Sequence, residues 1–201
     1  MISEFLHIND LFWTVQGEGK HAGRRALFVR MPYCNLACSW CDTSFNSFEK
    51  VSEKQFIRYA LSEPSRFAVI TGGEPMMNKH TPRVVSLLKE LEFEIACESN
   101  GNFPIVDGID FVTVSPKRDS KPDPYFIHAD ALAKCSEFKY VVDRYFDFSV
   151  LKRHDTSDGR RYSLSPEFTE MKENINAILL YVAEHPDWRV SMQTHKWMEI
   201  P

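Results

Sequence analysis

The chain lacks any apolar run that approaches the length of a transmembrane helix. Its first seven residues, MISEFLH, also lack the basic and then apolar regions that mark a secretory signal. Five cysteines are an odd number, and a chain of 201 residues can bury a core without cross-links, so we expect no disulfide framework. The sequence therefore predicts a protein of the reducing cytoplasm that does not associate with a membrane.

The chain also lacks an excess of basic charge. Its formal net charge is −4, and its lysines and arginines form no run or stripe. This composition argues against a domain whose main task is to bind nucleic acid. No internal repeat, low-complexity segment or long linker interrupts the sequence, and 43% of the residues are hydrophobic, which is ordinary. We predict a single domain spanning residues 1–201.

Three cysteines stand close together, Cys34, Cys38 and Cys41, with the spacing C-x3-C-x2-C and no fourth cysteine nearby. Three thiolates complete neither a tetrahedral zinc site nor a four-iron cluster. A 4Fe-4S cluster held this way would keep one iron open, and a substrate or cofactor binds at such a position. Zinc with a distant histidine as fourth ligand stays an alternative, since the chain has seven histidines.

Short apolar strands alternate with amphipathic helices. Helical patterns cover 52–61, 82–91 with Thr81 as a cap, 129–134, and 170–183 with Leu179 facing inward. Strand patterns cover 26–31, 67–70, 93–98, 111–114, 138–142, 162–164 and 189–192. Such alternation predicts an α/β fold with parallel strands. Because a complete eight-stranded barrel needs about 250 residues, we predict a partial, open TIM-like barrel of six or seven mostly parallel strands. A doubly wound sheet is the alternative.

Polar or glycine-rich clusters follow the predicted strands rather than precede them. The cysteine loop follows 26–31, and further clusters lie at 71–75, 98–101, 115–117 and 193–196. In parallel α/β folds the active site lies at the carboxyl ends of the strands. We therefore expect the five clusters to form one large site.

The run Gly72-Gly73-Glu74-Pro75 follows a predicted strand. Its two glycines allow the backbone to come close to a ligand, and Glu74 can accept hydrogen bonds from a cationic amine. The alternative is a plain strand-to-helix turn, because glycine and proline are common in turns.

Three polar residues lie near the first predicted strand. Arg30 lies inside it, where an arginine usually has an anionic partner: either an internal carboxylate or a substrate carboxylate. Gln16 and Glu18, in the segment Thr14–Gly19, offer donors and acceptors suited to the edge of a heterocycle. This segment is equally typical of a hairpin turn.

Further candidates lie after other strands and after the last clustered cysteine. Asp42 and Thr43 supply hard oxygen ligands suited to Mg2+, or they cap the next segment. Lys117, His195 and Lys196 are cationic groups suited to anionic ligands, or they are exposed loop charges.

With the three cysteines and Gly72-Gly73-Glu74-Pro75 in this order, the chain resembles the radical S-adenosylmethionine superfamily. It resembles most closely the 7-carboxy-7-deazaguanine synthase family of the deazapurine (queuosine) pathway. The residues that carry this resemblance span nearly the whole chain: 14–19, Arg30, 41–43, 71–75, 115–117 and 193–196, with the last proline Pro201.

The resemblance implies a 4Fe-4S cluster on Cys34, Cys38 and Cys41, whose open iron binds the amine and carboxylate of S-adenosylmethionine. An electron from a flavodoxin-like donor would release a 5′-deoxyadenosyl radical. That radical would take a hydrogen atom from 6-carboxy-5,6,7,8-tetrahydropterin, which would contract its ring and lose ammonia. S-adenosylmethionine would be regenerated, Mg2+ would assist, and the enzyme would be a homodimer.

The resemblance also implies roles for particular residues. Thr43 would contact Mg2+, Arg30 the substrate carboxylate, and Pro201 the substrate through its own carboxylate. The other residues implied at the substrate are Val15, Gln16, Gly17, Glu18, Thr71 and His195. Those implied at S-adenosylmethionine are Gly73, Glu74, Ser99, Ser115, Pro116, Lys117 and Ser165.

The chain departs from the family pattern at a few positions. Tyr33 stands where the family usually has glycine, Ser99 and Asn102 replace threonines in Glu-Thr-Asn-Gly-Thr, and Ser165 replaces glutamine. Two other functions stay open. A glycyl-radical activating enzyme shares the cysteine and glycine motifs but acts on a partner protein, and a zinc module would not be an enzyme.

Overall fold

The computed structural model describes residues 5–41 and 43–201. The strands there are β1 (Phe5–Ile8), β2 (Asp10–Val15), β3 (Arg25–Met31), β4 (Glu49–Ser52), β5 (Phe67–Gly72), β6 (Glu94–Ser99), β7 (Phe111–Val114), β8 (Glu137–Val142), β9 (Arg161–Pro166) and β10 (Trp188–Val190). The α-helices are α1 (Glu53–Ala60), α2 (Thr81–Glu90), α3 (Ala129–Lys134), α4 (Met171–Glu184) and α5 (Thr194–Trp197). In this part of the chain no helix is both long enough and apolar enough to cross a bilayer.

The main sheet has the spatial order β10-β9-β8-β7-β6-β5-β3-β2. From β3 to β10 all neighbouring strands are parallel, and β2 pairs antiparallel with β3 at the edge. Each later strand adds on the same side of the sheet, whereas a doubly wound sheet reverses direction at a switch point. The predicted α/β fold is therefore confirmed as an open, partial barrel with seven parallel strands among the described residues.

Two strands of the N-terminal region, β1 and β4, pair as a small separate antiparallel sheet. Neither strand is predicted by the sequence patterns. Strand β2 is not predicted either, because its sequence DLFWTV shows no strict alternation of apolar and polar residues. The segment 16–24 joins β2 to β3, so the hairpin interpretation of this region is confirmed.

Two details of the predicted helices are wrong. Thr81 is the first residue of α2 rather than its cap, and its hydroxyl donates to the Pro75 carbonyl at 2.6 Å. Leu179 is 51% exposed, whereas Ile178, as predicted, and Asn174 are the buried residues of α4. The helical period is thus correct, but the buried stripe is rotated around the axis.

Strand β8 of the barrel buries both of its faces. Phe138, Tyr140 and Val142 of β8 belong to an apolar core that also includes Ile178 of α4. The alternate residues of the same strand, Glu137, Lys139 and Val141, point to the opposite face, inside the barrel. The inner face of β8 is thus largely polar, which is unusual for a buried strand and indicates a functional interior.

Candidate active site

A cavity of about 470 Å³ opens at the carboxyl ends of the parallel strands. It brings together the cysteine loop, the ends of β5, β6 and β7, the segment after β2 and the C-terminal residues. Of the residues predicted from the sequence, the following line it: Cys34, Cys38, Cys41, Thr43, Val15, Gln16, Gly17, Glu18, Arg30, Thr71, Gly73, Ser99, Ser115, Lys117, His195 and Pro201. The predicted convergence of strand-end clusters is therefore what the fold produces.

Glu74 does not line this cavity, because its side chain is fully buried beneath it. Its carboxylate accepts hydrogen bonds from the Ser99 hydroxyl at 2.9 Å, the Asn100 backbone N–H at 2.7 Å and the Met76 backbone N–H at 2.9 Å. Burial raises the pKa of Glu74, although these three donors oppose the shift. In this arrangement Glu74 holds the end of β6 against the turn after β5.

Two other predicted residues also lie outside the cavity lining. Pro116 lines a small adjoining pocket beside Cys38 and Lys117. Ser165 is buried in β9, with 2% of its surface exposed. Their contacts to S-adenosylmethionine, like that of Glu74, stay predictions.

The cysteine loop carries three free thiols into the cavity. Burial raises the pKa of Cys34 and of Cys38, so these thiols must lose protons when they bind metal. The backbone N–H of Leu36 points at the Cys34 sulfur at 3.4 Å.

The donor set fits an iron–sulfur cluster better than zinc. Within residues 5–41 and 43–201, no three His, Cys, Asp or Glu side chains lie close enough together to hold one metal ion. A closed zinc site requires such a group, whereas a 4Fe-4S cluster takes each thiolate on a different iron. Asp42, the other oxygen ligand considered beside Thr43, lies outside the described residues.

Backbone hydrogen bonds attach the cysteine loop to β5. The Gly73 N–H donates to the Met31 carbonyl at 3.0 Å, and the Glu74 N–H donates to the Tyr33 carbonyl at 2.8 Å. A Cβ atom on Gly73 would lie 2.0 Å from the Tyr33 carbonyl oxygen, so this approach requires glycine. The Gly-Gly-Glu-Pro run therefore positions the cysteine loop, in addition to any contact with a ligand.

Side-chain amides attach the other side of the loop. Asn35 donates to the Asn102 side-chain oxygen at 3.0 Å and accepts from the Asn100 side chain at 2.8 Å. Asn102 in turn donates to the Phe126 carbonyl at 3.0 Å. Asn102, one of the two departures from the family pattern near the end of β6, thus directly contacts Asn35 of the cysteine loop.

Buried charges form the floor of the cavity. Lys139 Nζ lies 2.6 Å from Glu18 Oε2 and 2.8 Å from Glu98 Oε2. Gln193 donates to the second oxygen of Glu18 at 3.0 Å, and the Gln16 side chain lies 3.4 Å from Glu98. Two carboxylates thus share one ammonium group.

The pKa values of the two carboxyl groups, Glu18 and Glu98, are shifted in opposite directions. Burial alone would raise the pKa of Glu18, but the charge of Lys139, together with hydrogen bonds from Lys139 and Gln193, lowers it to about 2. For Glu98 burial prevails over the attraction of Lys139, and its pKa is raised. The pKa of Lys139 is raised, because the two carboxylates outweigh its own burial.

Arg30 projects into the cavity from β3. Its guanidinium group lies 3.9 Å from the half-exposed carboxylate of Asp10, which is too far for a hydrogen bond. The predicted internal carboxylate partner therefore exists, but it is a loose one. Because this ion pair is loose, the guanidinium group can also bind a substrate carboxylate.

Lys117 lies at the end of β7, beside the cysteine loop. Its ammonium group lies 2.5 Å from the Ser115 hydroxyl and 5.1 Å from the centre of the Trp40 ring. Burial lowers the pKa of Lys117. It provides a cation next to Cys38, where a carboxylate ligand would be stabilised.

The C-terminal residues fold back over the segment that follows β2. Thr194 donates to the Gly17 carbonyl through its backbone N–H at 3.1 Å and its hydroxyl at 2.9 Å. The Thr14 hydroxyl donates to the Pro201 carbonyl oxygen at 3.0 Å. These contacts close one wall of the cavity and bring His195 and Pro201 to it.

Lys139 is the main site residue that sequence reasoning missed. It lies within the predicted strand 138–142, and the structure places its ammonium group on the cavity floor. The signal was present: a lysine inside an apolar strand needs an anionic partner, as Arg30 did. Trp40, Phe28 and Phe45, which supply apolar walls, were also missed because aromatic residues are common in cores.

An open parallel barrel whose carboxyl-end cavity holds a C-x3-C-x2-C loop beside a Gly-Gly-Glu-Pro turn defines a radical S-adenosylmethionine enzyme. No protein-family model matches the chain. A protein of Burkholderia multivorans named 7-carboxy-7-deazaguanine synthase is 32% identical over 217 residues, covering 96% of this chain and 98% of that protein. One of the same name from Bacteroides thetaiotaomicron is 31% identical, covering 96% and 97%. The chain belongs to the 7-carboxy-7-deazaguanine synthase family.

Solved structures agree with this assignment. The crystal structure of QueE from Escherichia coli matches with a TM-score of 0.76 and 25% identity, covering 94% of each chain. SuiB from Streptococcus suis, solved bound to S-adenosylmethionine, matches with a TM-score of 0.51 and 15% identity, covering 82% of this chain and 48% of that one. The second likeness concerns the fold alone.

Proposed function

We propose that this protein converts 6-carboxy-5,6,7,8-tetrahydropterin to 7-carboxy-7-deazaguanine in deazapurine (queuosine) biosynthesis. The ring contracts, and one molecule of ammonia leaves for each pterin, so the overall reaction consumes no net electrons. The observation that carries this proposal is near-full-length similarity to synthases of that name, combined with one cavity that gathers the predicted residues.

Recognition of the pterin is assigned to one set of cavity residues, which we call the substrate side. Arg30 would bind the substrate carboxylate, and Gln16 and Glu18 would pair with the polar edge of the heterocycle. Val15, Gly17, Thr71, His195 and Pro201 complete this side. The ionised state of Glu18 makes it an acceptor for the amino and ring N–H groups of a pterin.

The cofactors are a 4Fe-4S cluster and S-adenosylmethionine. Cys34, Cys38 and Cys41 would hold the cluster, and Gly73, Ser99, Ser115 and Lys117 would bind the nucleoside cofactor beside it. When bound, the pair supplies the radical that starts the reaction. The chain's own contribution is to place the pterin next to that cofactor and to exclude water from the space between them.

We include Mg2+ in the proposal, at Thr43. This residue lines the cavity immediately after the cysteines, and Mg2+ typically takes few protein ligands, with substrate oxygens and water completing its shell. Thr43→Val should abolish stimulation by Mg2+, whereas Thr43→Ser, which keeps the hydroxyl, should retain it. Equal stimulation by Mg2+ in both variants would show that the Thr43 hydroxyl does not bind Mg2+.

The proposal extends to the physiological setting. A flavodoxin-like protein would supply the electron, the enzyme would be a homodimer of single-domain subunits spanning 1–201, and it would work in the cytoplasm. The five free cysteines suit a reducing compartment. Light scattering of the purified protein would measure the subunit number directly.

The direct test of function is anaerobic reconstitution with iron and sulfide, followed by incubation with S-adenosylmethionine, dithionite and the carboxytetrahydropterin. The proposal expects a brown protein that forms the deazaguanine with no protein partner, and a Cys38→Ala variant that forms none. A colourless protein with one bound zinc would contradict it. A protein that cleaves S-adenosylmethionine productively only with a partner polypeptide would indicate a glycyl-radical activating enzyme, which the named relatives do not favour.

A further inference from the structure

We infer that Glu137 is a positioning residue for this reaction: from outside the cavity, its buried carboxylate holds the segment that carries Gln16, Gly17 and Glu18 into the substrate side. The inference rests on the proposed function for its kinetic consequence. Its structural basis, the attachment of residues 16–21 to β8, is independent of that function.

Glu137 is the first residue of β8, and its side chain is completely buried. It does not line the cavity. A carboxylate in such a place needs several donors or a cationic partner. The fold supplies the Ser163 hydroxyl as a donor at 2.6 Å and the positive charge of Arg161, whose Nε lies 3.2 Å away without forming a hydrogen bond; both come from the neighbouring strand β9.

The remaining donor comes from the segment after β2. The backbone N–H of Lys20 donates to Glu137 Oε2 at 3.0 Å. One residue earlier, the Gly19 N–H donates to the Ser191 hydroxyl at 3.0 Å. The two consecutive amides are therefore held by two different strand ends on the interior of the barrel.

Gly19 shows how closely this segment approaches the carboxylate. Its φ is +63°, in the left-handed region, and a Cβ atom there would lie 2.9 Å from Glu137 Oε2. Glycine thus satisfies both the backbone conformation and the contact. Gly19, which ends the segment Thr14–Gly19 predicted to bind a heterocycle, thus has this second cause; a Cβ atom on Gly17 would instead meet the His195 ring.

A single strand, β8, therefore holds the segment 16–21 through two contacts. Glu137 and Lys139 lie two residues apart on the same face of β8, and Lys139 binds the Glu18 side chain at 2.6 Å. Lys139 sets where the Glu18 carboxylate points, while Glu137 sets where the backbone that carries it runs. Loss of the Glu137 contact would let Gln16, Gly17 and Glu18 move relative to the pterin. The position of the cysteine loop would not change.

The structural half of the inference is tested by hydrogen–deuterium exchange on the reconstituted protein, without pterin. Glu137→Ala should speed exchange in the peptide containing Gly19 and Lys20 by about tenfold or more, because the acceptor of the Lys20 amide is gone. Glu137→Gln, which keeps one carbonyl acceptor, should give a smaller increase. The matched control is Ser163→Ala, which removes another partner of the same carboxylate and should leave this peptide near the wild-type rate.

The kinetic half compares two reactions of each variant. The KM for the carboxytetrahydropterin should rise about tenfold or more in Glu137→Ala, while cleavage of S-adenosylmethionine without pterin stays within about twofold of wild type. If Glu137→Ala does not fold, Ser191→Ala, which removes the acceptor of the Gly19 amide, should shift the KM in the same direction.

Two results would overturn the inference: unchanged exchange at Gly19 and Lys20, or equal loss of pterin turnover and cofactor cleavage. If the wild-type protein forms no deazaguanine at all, the proposed function fails, and the exchange experiment still decides whether Glu137 holds the segment.

Discussion

Tyr33, immediately before the first clustered cysteine, adopts a φ of +69°. This left-handed conformation costs a residue with a Cβ atom about 1–2 kcal/mol relative to glycine. The carbonyl of Tyr33 must accept from Glu74 while its N–H donates to the Phe45 carbonyl at 2.7 Å, and this pair of bonds sets the turn. The family's usual glycine at this position is therefore explained by backbone geometry, and this chain carries the strain.

The comparison of Tyr33→Gly with Tyr33→Ala isolates that strain, because both variants remove the edge-on contact of the Tyr33 ring with Phe48. Tyr33→Gly should be more stable than Tyr33→Ala by about 1 kcal/mol, measured by urea unfolding of the reconstituted protein. At an ordinary exposed position alanine is the more stable of the two, so a more stable Tyr33→Ala would refute the explanation.

A substitution of Arg30 should weaken substrate binding and leave cofactor chemistry unchanged. Arg30→Ala should raise the KM for the carboxytetrahydropterin by about 100-fold, since a charge-assisted bond to the substrate carboxylate is lost, and leave cofactor cleavage without pterin unchanged. The measurement is steady-state product formation beside 5′-deoxyadenosine formation. Asp10→Asn, which removes the loose internal partner, should change the KM little.

Equal losses of both activities in Arg30→Ala would mean that the residue only stabilises β3. Such a result would favour the internal ion pair over the substrate carboxylate as the reason for an arginine inside this strand.

At the scale of elements, β8 explains how a buried strand can carry both core and site. Its outward residues join the apolar core, and its inward residues hold the segment 16–21 and the cavity floor. Lys139 is the residue on which this arrangement depends most, because removing it leaves Glu18 and Glu98 buried without their shared cation.

Lys139→Met should therefore destabilise the protein by about 3–5 kcal/mol near neutral pH. Lys134→Met, which removes the more exposed lysine that pairs with Asp107 and Asp130, should cost at most about 1 kcal/mol. Urea unfolding of the two reconstituted variants beside wild type provides the comparison.

The deficit of Lys139→Met, meaning its loss in free energy of unfolding relative to wild type, should depend on pH. In wild type the pKa of Glu18, about 2, lies below its ordinary value of 4.5, so its stabilising contribution is present above 4.5 and is lost as the pH falls through the lower value. In the variant, burial without a cation raises both carboxyl pKa values, so the folded state binds protons more tightly than the unfolded state. The deficit should shrink as the pH falls toward about 5, and a deficit that is constant or grows would contradict this assignment.

For the molecule as a whole, the sequence predicted an open barrel of mostly parallel strands and the edge of the sheet at which the site forms. The fold follows from strand patterns that alternate with helical patterns, and the site follows from chemistry visible in single residues: cysteine spacing, glycine runs after apolar strands, and arginine where an apolar residue is expected. The antiparallel strand β2 was not predictable in this way, because its sequence does not alternate. Strands β1 and β4 were not predictable because each has only four residues and β2 and β3 lie between them in the chain.

Other features depend on tertiary structure that no local pattern encodes. The direction of the Glu74 side chain is set by Ser99 and Asn100, which come from another strand end. The exposure of Leu179 is set by how α4 sits on β9 and β10. The attachment of residues 16–21 requires Glu137 and Ser191, more than one hundred residues away.

In the proposed function, one cavity joins a three-cysteine iron–sulfur centre to a pterin site, and the nucleoside cofactor would be regenerated in each turnover. The most direct measurement supplies reconstituted protein and dithionite with excess carboxytetrahydropterin and a limiting amount of S-adenosylmethionine, and counts the molecules of each product. The account predicts several molecules of 7-carboxy-7-deazaguanine for each S-adenosylmethionine supplied. Formation of 5′-deoxyadenosine in step with S-adenosylmethionine loss, with no deazaguanine, would contradict it.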